Sequence, residues 1–94
     1  MPEVLFRVRW PDASEQRCYS PSTVVEDFFS AGTSYPVAEF VDRSRKALSA
    51  ASERVRGIYG YGCSQALAQL AEIEHTAARF TGEGASVRLL EFER

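Results

Sequence analysis

Apolar and polar positions alternate from the start of the chain. Val4, Phe6, Val8 and Trp10 interleave with Leu5, Arg7 and Arg9. A period of two predicts a half-buried strand. Pro11-Asp12-Ala13 breaks it with turn residues. Glu15 to Tyr19 returns as a second strand, with Gln16 and Cys18 on one face and Arg17 and Tyr19 on the other. The pair reads as a β-hairpin. Ala13 supplies no glycine for a position of positive φ, so the turn type stays open. Ser20-Pro21-Ser22-Thr23 then opens a short helix. Either serine can cap it, Pro21 suits a first turn, and Thr23 and Glu26 have capping-box spacing. Val24, Val25, Phe28 and Phe29 form its apolar side.

Beyond Ser30-Ala31-Gly32-Thr33-Ser34 the period lengthens. Pro36 is a good first-turn residue, and Val37, Val41, Ser44, Leu48, Ala51, Val55 and Ile58 follow at alternating four and three. Phe40 and Tyr59 widen that stripe. Asp42, Arg45, Lys46, Glu53 and Arg56 fall on the outer face. Gly57, Gly60 and Gly62 penalise helix continuity by about 1 kcal/mol each, which puts a break at 60–62. A second long helix then carries Cys63, Ala66, Leu70, Ile73, Ala77 and Phe80 on one stripe, with Gly82 as its C-terminal cap and Gly84 in a loop. Ala85 to Phe92 is a last strand, apolar on both faces and so central or well covered.

The order β-β-α-α-α-β describes a single α+β domain over residues 1–94. Two striped helices must bury their apolar faces, and a three-stranded sheet has a face to offer, which makes two layers. The first strand is expected at the centre of that sheet with the last strand parallel to it. A fully antiparallel order is nearly as well supported. An open sheet face and two edges suggest a homodimer, with Leu5 or Phe92 left uncovered.

Composition adds little that is specific. The chain is 45% hydrophobic and 26% charged, as soluble globular domains are. Its net charge of −2 argues against a dedicated nucleic-acid binder. The first residues do not read as a signal peptide, and no apolar run reaches the ~20 residues of a membrane span. Two cysteines are too few for a disulfide scaffold, so a cytoplasmic protein with reduced thiols is expected.

Candidate chemistry gathers at the joint between the helices. Tyr59, Tyr61, Cys63 and Ser64 stand there, and Cys18-Tyr19-Ser20 at the end of the second strand could approach them. Cys63 at a helix start can have a lowered pKa; as a member of the stripe it is instead a small core residue. The sole histidine, His75, is about three turns from Cys63 and cannot be its base. Glu72 and His75 have the Glu-x-x-His spacing of di-iron bundles but point away from the stripe. Arg43, Arg45, Lys46, Arg54 and Arg56 read as solvated helix charges among Glu39, Asp42 and Glu53. No P-loop, dinucleotide fingerprint or Gly-x-Ser-x-Gly occurs, and neither a metal nor a cofactor is called for.

Four segments carry a family likeness. They are Phe6-x-Val8-Arg9-Trp10-Pro11-Asp12, Cys18-Tyr19-Ser20-Pro21-Ser22, Ala47-Leu48-x-x-Ala51-Ser52-x-Arg54-Val55, and Tyr59-Gly60 with Cys63-Ser64-x-Ala66. With them the chain resembles the small nitrogen-starvation-response proteins of bacteria. The resemblance implies a gene setting beside a nitrilase, a radical-SAM protein, an acetyltransferase-like protein and a flavin-dependent oxidoreductase. Members of that family tend to carry glycine where this chain has Ala13, a departure that concerns hairpin geometry. The resemblance implies no catalytic residue. The first expectation is therefore a non-catalytic accessory or regulatory partner of a protein from that cluster. The alternative is a small ligand-binding protein or thiol-dependent enzyme that uses the joint.

Overall fold

The computed structural model describes residues 3–60, 64–82 and 84–93. Strands β1 (Val4–Arg9) and β2 (Glu15–Ser20) form the expected antiparallel hairpin, with Val4 opposite Ser20 and Arg9 opposite Glu15. Its loop closes by Ala13 N–H donating to the Trp10 carbonyl at 2.9 Å and Trp10 N–H to the Ser14 carbonyl at 2.8 Å. Ala13 takes a φ of 72°, so alanine occupies a left-handed position that glycine fills more easily. The short helix is a 3₁₀ turn at Thr23–Asp27, capped by the Ser22 side chain, which accepts from Val24 N–H.

A strand that the sequence does not announce follows. Residues Ser34–Pro36 form β3 and pair with β4 (Ser86–Glu93). The sheet thus has four strands, all antiparallel, in the order β2-β1-β4-β3. The class is α+β, and β1 does lie between β2 and the last strand. The three-stranded count and the parallel last strand are corrected. The reason lies in the helices. Helix α1 (Val37–Tyr59) leaves the sheet from the end of β3, and α2 (Ser64–Ala77) packs back along it. An out-and-back helical pair returns the chain to where it left. Val37 N–H donates to the Ala85 carbonyl at 3.2 Å, which places the start of α1 beside the start of β4. The strand after the helices must then run opposite to the strand before them.

The inward sheet residues Val4, Phe6, Val8, Cys18, Val87 and Leu89 meet Phe40, Ala47 and Leu48 of α1 and Ala66 and Ile73 of α2. Aromatic rings bridge the layers. Trp10 stands edge-on to Phe40 at 5.5 Å and stacks on Phe80 at 5.9 Å, while Phe29 lies 5.4 Å from Phe40 and 5.9 Å from Phe6. Such pairs add to what burial alone contributes. Phe92 packs against this core, and Leu5 lies half-buried on the other sheet face.

The predicted stripes are met in part. In α1 the deepest positions are Phe40, Ser44, Ala47, Leu48 and Ala51, whereas Val37, Val41 and Val55 are half-buried. Ile58 is 57% exposed, which corrects its place on the stripe. A helix of 23 residues spans about 34 Å and overhangs strands of eight residues or fewer, which span about 27 Å at most. Helix α2 ends at Ala77, so Gly82 is not its cap. The chain tightens there through Arg79 N–H to the Thr76 carbonyl and Phe80 N–H to the Ala77 carbonyl, at 3.1 and 3.0 Å. That turn carries Phe80 off the helix and onto Trp10. At the joint, Gly60 ends α1 with a φ of 82°, its N–H donating to the Arg56 carbonyl at 2.8 Å.

Candidate functional site

Cys18 stands on the core face of β2 and is completely buried. Burial pushes its thiol well above the usual range, and the charge of Glu72 pushes the same way. A thiol so placed is a packing residue, not a nucleophile. Its neighbour Tyr19 points to the opposite face, where its hydroxyl meets the Glu3 carboxylate at 3.4 Å. Ser20 is buried and donates its hydroxyl to the Ser22 carbonyl at 2.7 Å, which fastens the strand end to the 3₁₀ turn. Tyr59 closes α1, and Ser64 opens α2 in an exposed position. Tyr61, Gly62 and Cys63 lie outside the described residues, as does the Tyr59 side chain, so the expected Cys63 chemistry falls there too.

The strand end and α2 are brought together, through residues that spacing alone does not single out. Gln69 is buried, and its side-chain carbonyl accepts from Tyr19 N–H at 2.9 Å. Three residues away on each element, Gln16 donates to Glu72 at 2.8 Å and accepts from the Trp10 indole N–H at 2.9 Å. These bonds run β2 antiparallel to α2, so Ser20 lies toward the joint end of the helix. They also cover the outer backbone edge of β2, which would otherwise offer unpaired N–H groups. The only sequence signal for Gln69 is its position three residues after Ala66 and four before Ile73, which puts it on the buried stripe beside Leu70.

The charged candidates resolve individually. Glu72 is engaged with Gln16, and His75 is exposed. Among the described residues no group of three or more His, Cys, Asp or Glu stands close enough to hold a metal ion. On α1, Arg45 pairs with Glu74 of α2 at 2.8 Å, Lys46 with Asp42 at 2.9 Å and Arg56 with Glu53 at 3.5 Å, all on the surface. Arg43 departs from that description. It is half-buried, donates to the Phe28 carbonyl at 2.7 Å, pairs with Glu39 at 2.9 Å and lies 4.9 Å above the Tyr35 ring. Its function is to hold α1 to the segment after the 3₁₀ turn.

Among the described residues no helix covers the outer face of the sheet. That face presents Arg7, Arg9, Arg17 and Arg88 with Glu15, Glu91 and Glu93, most of them joined in exposed ion pairs. Among the described residues no helix is long and apolar enough to cross a membrane. Only two large hydrophobic side chains among the described residues are strongly exposed, Ile58 at 57% and Leu67 at 58%. They lie on the two helix ends that meet at the joint.

No curated protein and no solved structure matches the chain. A family model does, that of the nitrogen starvation-induced protein NitG, over residues 5–92. That span runs from the first strand through both helices to the last strand, and the chain belongs to the NitG family.

Proposed function

We propose that this protein is a non-catalytic accessory or regulatory partner in a nitrogen-starvation response, and that it binds a protein encoded in the nitrilase-containing cluster. The observation that carries the reading is the exposed pair Ile58 and Leu67 on the helix ends at the joint. The other large aliphatic side chains of the two helices are buried or half-buried. Aliphatic surface gathered at one end of the molecule is what a protein partner removes from water. The sheet's outer face is charged instead, which favours the helical end as the docking end. Co-expression with each cluster protein tests the reading. One of them is expected to co-purify in fixed stoichiometry, and Ile58→Ser with Leu67→Ser is expected to abolish the complex while leaving thermal unfolding unchanged. Co-purification of none, or equal binding by the double variant, would overturn it. Sedimentation of the isolated chain tells whether a second copy occupies the same surface.

The thiol-dependent alternative rests on Cys63. A Cys63→Ser variant that folds and binds its partner normally, yet abolishes the starvation phenotype, would establish that alternative in its place.

A further inference from the structure

We propose that a second copy of this chain docks on α2, antiparallel to it, across a two-fold axis at Ala71. A second copy and the cluster partner would share Leu67 and compete for it, which goes beyond the partner reading. The two helices place their charges differently. Exposed Glu39, Asp42, Lys46, Glu53, Arg54 and Arg56 line α1. Helix α2 has two carboxylates and no lysine or arginine, and both carboxylates are drawn to its flanks. Glu72 is held by Gln16 of β2 at 2.8 Å, and Glu74 by Arg45 of α1 at 2.8 Å.

Between those flanks run Ser64, Leu67, Ala71, His75 and Ala78. The bond from Ala78 N–H to the Glu74 carbonyl at 3.1 Å keeps the last of them on the helical path. At 3.6 residues per turn the five fall within roughly 80° of one another, on the side opposite the buried Ala66, Ile73 and Ala77. All five are exposed, Leu67 by 58%, and none is an acid, a lysine or an arginine. The water-facing side of a surface helix ordinarily carries charge. Depletion of charge around an exposed leucine is instead the composition of an interface centre.

Spacing and charge together select the occupant. The five residues stand 3, 4, 4 and 3 positions apart, a series that reads the same in either direction. An antiparallel copy turned about Ala71 therefore sets Leu67 against His75 of the second copy, Ser64 against its Ala78 and Ala71 against its Ala71. A two-fold contact needs a patch that complements itself. This face meets its own copy without setting like charges together, whereas the outer face of α1 would oppose its own acids and bases. Alanine on the axis lets the helices approach to about 8 Å, the short end of helix spacing. Helix α2 is about 21 Å long, so the contact is small and the dimer is weak and reversible.

Sedimentation equilibrium of the isolated chain up to millimolar concentration tests the contact without the cluster partner, so this proposal and the partner reading fail separately. The wild type is expected to dimerise. Ala71→Glu sets two acids together on the axis and should lose the dimer, and Ala71→Lys should lose it in the same way. Mixing the two variants sets Glu against Lys and should restore it. Ser49→Glu, exposed on α1, should leave it intact. Unchanged thermal unfolding of each variant separates loss of contact from loss of fold. A wild type that stays monomeric would overturn the proposal. So would a dimer that survives Ala71→Glu, a dimer lost in Ser49→Glu, or a Glu and Lys mixture that stays monomeric.

Discussion

Replacing Ala13 by glycine is expected to stabilise this protein, although glycine substitutions ordinarily do the reverse. Ala13 is exposed in the hairpin loop with a φ of 72°. A side chain in that region costs roughly 1–2 kcal/mol, because Cβ crowds the following carbonyl. Removing Cβ recovers that energy. Against it stands the extra freedom glycine gives the unfolded chain, about 0.4–1 kcal/mol. The difference leaves Ala13→Gly more stable by about 0.7 kcal/mol, or roughly 3–5 °C in Tm for a domain of this size. The loop bonds from Ala13 N–H and Trp10 N–H are backbone groups and persist in the variant. Gly60 supplies the reciprocal experiment. Its φ is 82°, and a Cβ there would meet nothing within 4 Å among the described residues, so Gly60→Ala tests the backbone effect with the sign reversed. Urea unfolding followed by circular dichroism should move the midpoint up for Ala13→Gly and down for Gly60→Ala, with unchanged slope. A lower midpoint for Ala13→Gly would refute the assignment of a left-handed residue to position 13. A rise for Gly60→Ala would show that unfolded-state freedom outweighs left-handed strain at that position.

Cys18 should resist alkylation in the native state through mildly alkaline pH and react only on unfolding, as mass spectrometry of labelled peptides will read. Cys18→Ala should cost about 1 kcal/mol and Cys18→Ser more, since serine adds a buried hydroxyl in need of a partner. Gln69→Ala removes the acceptor for Tyr19 N–H and should cost about 1–3 kcal/mol if that group is left dry; equal stability in chemical denaturation would mean that water replaces it. Trp10→Ala should cost about 3–5 kcal/mol and leave the protein largely unfolded at 37 °C, checked by near-ultraviolet circular dichroism. Asp12 is held below the ordinary carboxylate range by the hydroxyl and amide of Ser14. With the folded pKa below the unfolded one, its contribution is complete above about pH 4 and fades as pH falls through the folded value. The stability gap between wild type and Asp12→Asn should therefore close on acidification below that point.

How much of this could be read in the residues depends on how long each periodic signal runs. The hairpin, the long helices and the last strand each extend over several repeats, and their faces follow from alternation or from the four-three stripe. β3 has three residues, one of them Pro36, which in the sequence reads as the start of a helix. Too short to show a period, it escapes notice, and the direction of β4 goes with it. Once β3 is known to lead into the helical pair, an antiparallel β4 follows from the out-and-back path alone. Ile58 misleads for a different reason: periodicity gives the phase of a helix but not where its support ends.

The contacts around β2 and the open sheet face are not legible in the sequence for a related reason. Cys18 and the Tyr59–Ser64 joint stand out in the sequence because thiols and phenols can do chemistry. Yet Cys18 is buried in the core opposite Phe6, whereas ordinary glutamines and arginines decide how β2 and the open sheet face meet their surroundings. Gln16 and Gln69 fasten α2 over the β2 edge through bonds between residues more than 49 positions apart. The Arg9–Arg88 juxtaposition spans the whole chain and depends on the register of β1 with β4, including the irregularity between Arg7 and Val8. A slip of one residue in that pairing would bring Leu89 or Val87 opposite Arg9 and remove the juxtaposition. Local pattern locates strands and their faces. Which charges end up facing each other is a property of register, which local pattern does not carry.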